Sequence, residues 1–241
     1  MAGDRLLRIL TRLSAGGSDK PEAARLCEVC ADVAGMSGAG IMLMAGDEQQ
    51  GSVCSSDGVS HLIEELQYTL GEGPCVDAHQ QGGPVLEPDL VDPVTPRWLA
   101  FTPSAVEAGA RAVFGFPLRV GAVRLGALNL YRDQAGPLTE DQYADALVLA
   151  GVAAQAVLAI QAQAPPGALA AELEEGANFR FVVHQASGMV AVQLGVSVAE
   201  ALLRLRAHAF ANDRLLAEVA EEVVGRKLRF DGDTSAAEPR P

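Results

Sequence analysis

The sequence predicts an α+β protein in two parts, an antiparallel-sheet domain followed by a small all-α bundle of three helices. Two β-rich runs, Arg111–Arg119 and Ala122–Tyr131, flank the turn dipeptide Val120-Gly121, which is a hairpin signal. Past Phe179 the apolar residues recur instead at steps of three and four, the helical period. Charge divides at the same place: residues 1–176 hold ten Lys or Arg against twenty-three Asp or Glu, and residues 177–230 hold seven against five. With 241 residues, 49% of them hydrophobic, the chain fits one domain of about 150 residues plus a small one. At a net charge of -13 only the C-terminal part suits a polyanionic partner.

Residues 1–19 read as an N-terminal helix or tail. A helix from Pro21 to Ala34 precedes two short strands, Ile41–Met44 and Gly51–Cys54, and the hairpin adds two more to one central sheet. Thr139 and Gln142 form a capping box at the head of a helix running to Ala164. In it Ala146, Ala150, Ala153, Val157 and Ile160 alternate steps of four and three, a heptad-like stripe suited to close helix pairing. A homodimer held through Thr139–Ala164 is therefore expected. Pro165-Pro166 ends that helix, and Ala168 to Glu175 reads as helical again before Gly176. The domains are expected at 20–164 and 177–230, with a linker at 165–176 and a disordered tail at 231–241.

The C-terminal part begins with Phe179, Val182, Val183, Ala186, Met189 and Val190 on one helical face, ended by Gly195. Ser197 and Glu200 make a capping box for a second helix with the stripe Val198, Ala201, Leu202, Leu205 and Ala209. Asn212 or Asp213 caps a third, with the stripe Leu216, Val219, Ala220 and Val223. Arg180, His184, Ser187 and Ala191 share another face of the first helix, and Leu203, Ala207 and Phe210 make a second apolar strip on the second.

His184-Gln-Ala-Ser-Gly-Met-Val190, Gly195-Val-Ser-Val-Ala-Glu-Ala201, Leu205-Arg-Ala-His-Ala209 and Leu216-Ala-Glu-Val-Ala220 resemble the ANTAR domain. That resemblance implies binding to paired hairpins in nascent RNA and prevention of transcription termination. The residues it nominates for RNA are Arg180, Gln185, Ser187, Gly188, Arg204, Arg206, Asn212 and Arg214. Ser187 stands where the family usually has lysine, which removes one phosphate-directed charge.

From about Lys20 to Ala164 the chain resembles a GAF domain of the type found ahead of ANTAR in actinobacterial regulators. The resemblance is carried by Leu70-Gly-Glu-Gly-Pro-Cys75, Asp89-Leu90, Arg97-Trp98, Phe116-Pro-Leu-Arg119, Gly126-Ala-Leu-Asn-Leu-Tyr131 and Gly136-Pro-Leu-Thr-Glu-Asp-Gln142. It implies a pocket between the sheet and its covering helices, which in different members holds cyclic nucleotides, haem, bilins or nothing identified. Met42, Met44, Phe114, Phe116 and Leu128 are the pocket candidates, taken from both faces of the strands. The ligand is left open.

Cys27-Glu-Val-Cys30 has redox spacing but lies on the apolar face of a helix, so structural thiols are expected, and four cysteines in a chain expected to be cytoplasmic suggest reduced thiols. Cys54 and Cys75 lack the spacing of a zinc site. His61 and His79 are expected as surface or helix residues, and no metal site is expected. Gly71-Glu-Gly-Pro-Cys75 has no Lys and reads as a tight turn rather than a phosphate-binding loop. No apolar run of about 18 residues is read in the sequence, so no membrane partner is expected.

The leading expectation is a signal-responsive, RNA-binding antitermination regulator. A DNA-binding helix-turn-helix regulator is an alternative, weakened by Glu218, Glu221 and Glu222 on the third helix. A sensor acting through a protein partner, with RNA binding lost, is another. No nucleophile, base or metal set points to an enzyme.

Overall fold

The computed structural model describes residues 2–14, 22–45, 48–163, 174–212 and 214–230. The Pro165-Pro166 break, the start of the helix expected from Ala168, and the tail at 231–241 lie outside them. The chain divides into two compact units, residues 1–176 and 177–241.

The first unit is built on one antiparallel sheet in the order β2-β1-β5-β4-β3. Its strands are β1 (Gly38–Ala45), β2 (Glu48–Ser55), β3 (Val85–Glu87), β4 (Ala112–Val120) and β5 (Val123–Arg132). The β4–β5 hairpin turns one residue later than expected. Val120 pairs with Val123, so Gly121 and Ala122 make the turn, and Gly121 takes a left-handed φ of 60° that glycine adopts without strain.

Side chains alternate between the two faces of each strand. One face carries Ile41, Leu43, Phe114, Phe116, Leu118, Leu128 and Leu130, packed with residues of α1 (Ala2–Ser14), α2 (Glu22–Ala34) and α6 (Glu140–Gln163) in one apolar core. The other face carries Gly40, Met42, Gly115 and Asn129. It lies under α3 (Gly58–Leu70) and α4 (Pro74–Gln81), with α5 (Phe101–Glu107) packed on α3.

The capping box of α6 is present. Thr139 N–H donates to Gln142 Oε1 at 3.0 Å, and Gln142 N–H donates to Thr139 Oγ1 at 3.1 Å. The stripe expected to pair with a second copy is turned inward instead: Ala146, Ala150, Ala153 and Val157 are buried in this domain's own core. By length and composition α6 is also apolar enough to cross a membrane, which corrects the reading that no such run exists. Part of that apolarity is explained by its packing on β4 and α2. Arg5 and Arg8 of α1 donate to the Asp145 carboxylate of α6 at 2.7 Å, which docks α1 beside it.

The cysteine expectation also needs correction. Cys27 of α2 and Cys54 of β2 are joined by a disulfide, while Cys30 and Cys75 are free and buried. Burial pushes the Cys30 thiol up to about 12, which keeps it protonated and unreactive at neutral pH.

The second unit contains α7 (Glu174–Leu194), α8 (Val198–Ala211) and α9 (Leu216–Val224). Gly195, with φ 66°, ends α7, and α8 leaves at 103° to it. Glu200 N–H donates to Ser197 Oγ at 3.2 Å, but the return half of that capping box is absent because the Glu200 carboxylate takes Arg204 instead. Among the described residues the third helix has no side-chain cap, and Asp213, one of the two caps expected, lies outside them. Asn212 closes the end of α8, its amide donating to the His208 carbonyl at 2.7 Å. Val183, Ala186, Val190, Ala201, Leu205, Ala209, Leu216, Val219, Ala220 and Val223 are all fully buried, so the three apolar stripes meet in one core, while Val198 is left exposed.

Candidate sensor site and nucleic-acid interface

Two glycines and one asparagine shape the α3/α4 side of the sheet. Gly40 of β1 pairs with Asn129 of β5, and Asn129 pairs with Gly115 of β4, so the three form a row across neighbouring strands. A Cβ on Gly40 would lie 2.7 Å from Glu64 Oε1, and one on Gly115 would lie 2.3 Å from the Pro74 carbonyl oxygen. The absence of side chains at both positions is what lets α3 and the head of α4 come down onto the sheet on either side of Asn129.

The side chains above that row are polar. Glu64, Gln67 and Asn129 are buried, and Gln67 Oε1 accepts the Cys75 N–H at 2.7 Å. Both carboxylate oxygens of Glu64 and both amide heteroatoms of Asn129 fall outside strict hydrogen-bond geometry, although the Asn129 side chain comes close enough to Glu64 to act as a weak hydrogen-bond partner of its carboxylate. Burial pushes the Glu64 carboxyl up to about 8, partly offset by the nearby Asn129 side chain. The Cys75 thiol is raised by burial first and by the neighbouring Glu64 second. A buried carboxyl beside a buried carboxamide, with so few partners between them, is uncommon in a packed domain. The Gly71–Gly73 turn leading into α4 has a second task, since Glu72 Oε1 accepts the N–H groups of Ala100 and Phe101 at the head of α5.

The pocket candidates separate across the sheet. Met42 and Met44 lie on the α3/α4 side, away from the apolar core of the other face. Phe114, Phe116 and Leu128 belong to that core, beneath α2 and α6, and do not line the polar cluster. Reading strands in alternation could not say which face was which. One signal was available: Ser60, Glu64 and Gln67 recur at steps of four and three, and all three are buried.

In the second unit the RNA candidates are also dispersed. Arg180 lies on α7, with its side chain outside the described residues. Gln185, Arg204 and Asn212 are exposed, and Gly188, Arg206 and Arg214 are half-buried. Ser187 is buried, its hydroxyl donating to the Val183 carbonyl at 2.7 Å, so it does not join an exposed stripe with His184. Arg204 and Arg206 are two residues apart and do not share a helix face. Arg204 donates to Glu200 at 2.8 Å, and Arg214 forks onto Glu222 at 2.9 and 3.1 Å. That fork raises the Arg214 pKa and lowers that of Glu222. Leu203 and Phe210 are exposed, as the second apolar strip of α8 requires.

The arrangement is that of a sheet-based sensor module followed by a small helical regulatory module. Residues 23–161 match the GAF domain and residues 171–224 match the ANTAR domain, so the chain belongs to the GAF domain family and has the GAF–ANTAR architecture. Among curated proteins no relative matches. Among solved structures, the GAF domain of an Acinetobacter phosphoenolpyruvate-protein phosphotransferase superposes with a TM-score of 0.51 at 15% identity, covering 67% of this chain and 96% of that one. The GAF domain of a phosphoenolpyruvate-protein phosphotransferase from Coxiella burnetii gives 0.50 at 15% identity, covering 67% and 95%. At these identities the likeness is one of fold.

Proposed function

We propose that this chain is a signal-responsive, RNA-binding regulator that prevents transcription termination by engaging paired hairpins in nascent RNA. The observation that carries the reading is the order of modules in one chain, a GAF sensor followed by an ANTAR domain, the latter an RNA-binding antitermination module. The regulator acts in the cytoplasm and catalyses no reaction of its own. On the sensor side, Glu64 and Asn129 meet a small molecule that both donates and accepts hydrogen bonds, because a carboxyl and the two ends of an amide present both kinds of group.

The working form in this proposal is a homodimer, held through the outer side of α6 rather than its alanine stripe. Leu147 on α6 and Leu6, Leu7 and Leu10 on α1 are exposed, and α1 docks beside α6, so an apolar surface remains on those helices. A dimer offers two bundles to two hairpins and raises the second contact to an effectively intramolecular one.

The reading is tested by crosslinking the protein to RNA in its host and sequencing the captured fragments. Enrichment of two-hairpin leaders upstream of terminators is the expected result. Capture of no structured RNA, with a protein recovered in its place, would establish the partner-protein alternative, which the ion pairs holding Arg204 and Arg214 favour.

A further inference from the structure

The ANTAR match ends at residue 224, and among the described side chains of the second unit the next six residues carry the least compensated positive charge. Arg226, Lys227 and Arg229 are all exposed. Among the described residues, Arg226 and Arg229 make no ion pair or side-chain hydrogen bond, and Lys227 reaches Glu222 only through space, as one of several influences lowering its pKa. Arg204 and Arg214, by contrast, are already engaged by Glu200, Glu218 and Glu222. An arginine held by its own carboxylate must give up that pair before it meets a phosphate, whereas an unpaired cation exchanges only water and counterions.

The segment is held in place. Gly225 N–H donates to the Glu221 carbonyl at 2.8 Å, Arg226 N–H to Val223 at 3.0 Å and Lys227 N–H to Glu222 at 2.8 Å. Arg226 takes the left-handed φ of 58°, which turns the chain off the end of α9. The far end is fastened to the other two helices: Phe230 N–H donates to Gln193 Oε1 of α7 at 2.9 Å, and the Phe230 ring packs edge-on to His208 of α8 at 5.2 Å. Three cations are thus presented from a strap tied at both ends.

We propose that Arg226, Lys227 and Arg229 form the main phosphate-contacting surface of the C-terminal unit, with Phe230 as the positioning residue and the sugar–phosphate backbone of an RNA as the partner. The inference rests on the RNA-binding reading above and assigns its contact surface. An RNA is favoured over an anionic membrane because the apolar residues of the strap, Leu228 and Phe230, are partly buried rather than exposed for insertion.

The experiment uses the full chain and a fluorescent two-hairpin RNA, titrated by anisotropy over a series of salt concentrations. Circular dichroism melts check that each variant is folded. R226A/K227A/R229A is expected to weaken binding roughly a hundredfold and to lower the salt slope by about two to three units, since each phosphate contact contributes about 0.7 to 0.9. R226K/R229K keeps the charge and is expected to keep the slope. Phe230→Ala keeps all three cations and is expected to weaken binding several-fold with the slope unchanged, which a purely charge-counting surface would not do. If the wild type binds the RNA and the folded triple variant matches it within twofold at equal slope, the strap assignment is overturned and the RNA reading stands. If the wild type binds no RNA, both fall. Binding of anionic phosphatidylserine vesicles that depends on the three cations, with none to RNA, would replace the RNA backbone with a lipid surface and overturn the proposal.

Discussion

The hydroxyl of Ser187 donates to the backbone carbonyl of Val183 one turn earlier on the same helix, inside the bundle core. A position that the sequence resemblance nominates for RNA contact is in this chain a packed, internally satisfied serine. Ser187→Ala removes a hydroxyl whose acceptor already has its helical partner and is expected to change stability by about 1 kcal/mol or less. Ser187→Lys must thread a long stem out of the core and is expected to cost the C-terminal unit on the order of 1–3 kcal/mol of stability, read as a lower urea midpoint. It is not expected to tighten RNA binding. Equal midpoints for the lysine variant and the wild type would show that the position opens readily.

Glu64 predicts a pH dependence. Its folded pKa, about 8, lies above the ordinary carboxyl value, so between the two the folded state binds more protons than the unfolded state. The contribution to stability is full below the ordinary value and is lost progressively as the pH rises toward about 8. Glu64→Gln removes the titration, and its melting curve is expected to lie above that of the wild type at pH 8 and to converge with it near pH 4. At about 1.4 kcal/mol per pKa unit the difference at high pH is a few kcal/mol at most. A wild-type midpoint that varies with pH as the variant's does would show that Glu64 is not the titrating group.

The two glycines of the Gly40–Asn129–Gly115 row differ in what stands against them. Gly115 faces the backbone carbonyl of Pro74, which cannot step aside, and Gly40 faces the Glu64 side chain, which can rotate. Gly115→Ala is therefore expected to destabilise the first unit by about 2–3 kcal/mol and Gly40→Ala by less. Thermal denaturation of the two variants measures the ranking, and the reverse order would contradict the close approach of α4.

If the dimer forms through the outer side of α6, then Leu147→Asp places a charge in the seam and is expected to yield a monomer by light scattering, with the melting temperature of the domain nearly unchanged. Leu147 is exposed, so the isolated domain loses little packing.

Many elements of both units were legible because periodicity and caps are local, whereas α3, α4, α5 and the three-residue β3 were not read from the sequence. Thr139–Gln142, Gly195 and the stripe Leu216, Val219, Ala220 and Val223 all do what their spacing implies. The sites were legible only in part, because they depend on contacts between distant residues. Ser187 lies at the border of the α7 stripe, where a small side chain is covered by whatever packs beside it, and helical spacing alone cannot say that something does. Phe114 and Phe116 looked like pocket walls because nothing local tells which sheet face meets α2 and which meets α3. Cys27 and Cys54 are 27 residues apart, and only the seating of α2 beside β2 brings them together.

The edges of the sheet limit how this domain can meet its own kind. β2 pairs with β1 through two register shifts, between Ile41 and Met42 and between Leu43 and Met44, and β3 at the far edge is three residues long between Pro84 and Pro88. An incoming strand finds a bent ribbon on one side and a stub on the other. Neither border offers a straight template for continuation into a neighbour, so growth by strand addition is closed off. Any specific self-recognition by this domain has to be written on its helices, where a few side chains can tune it.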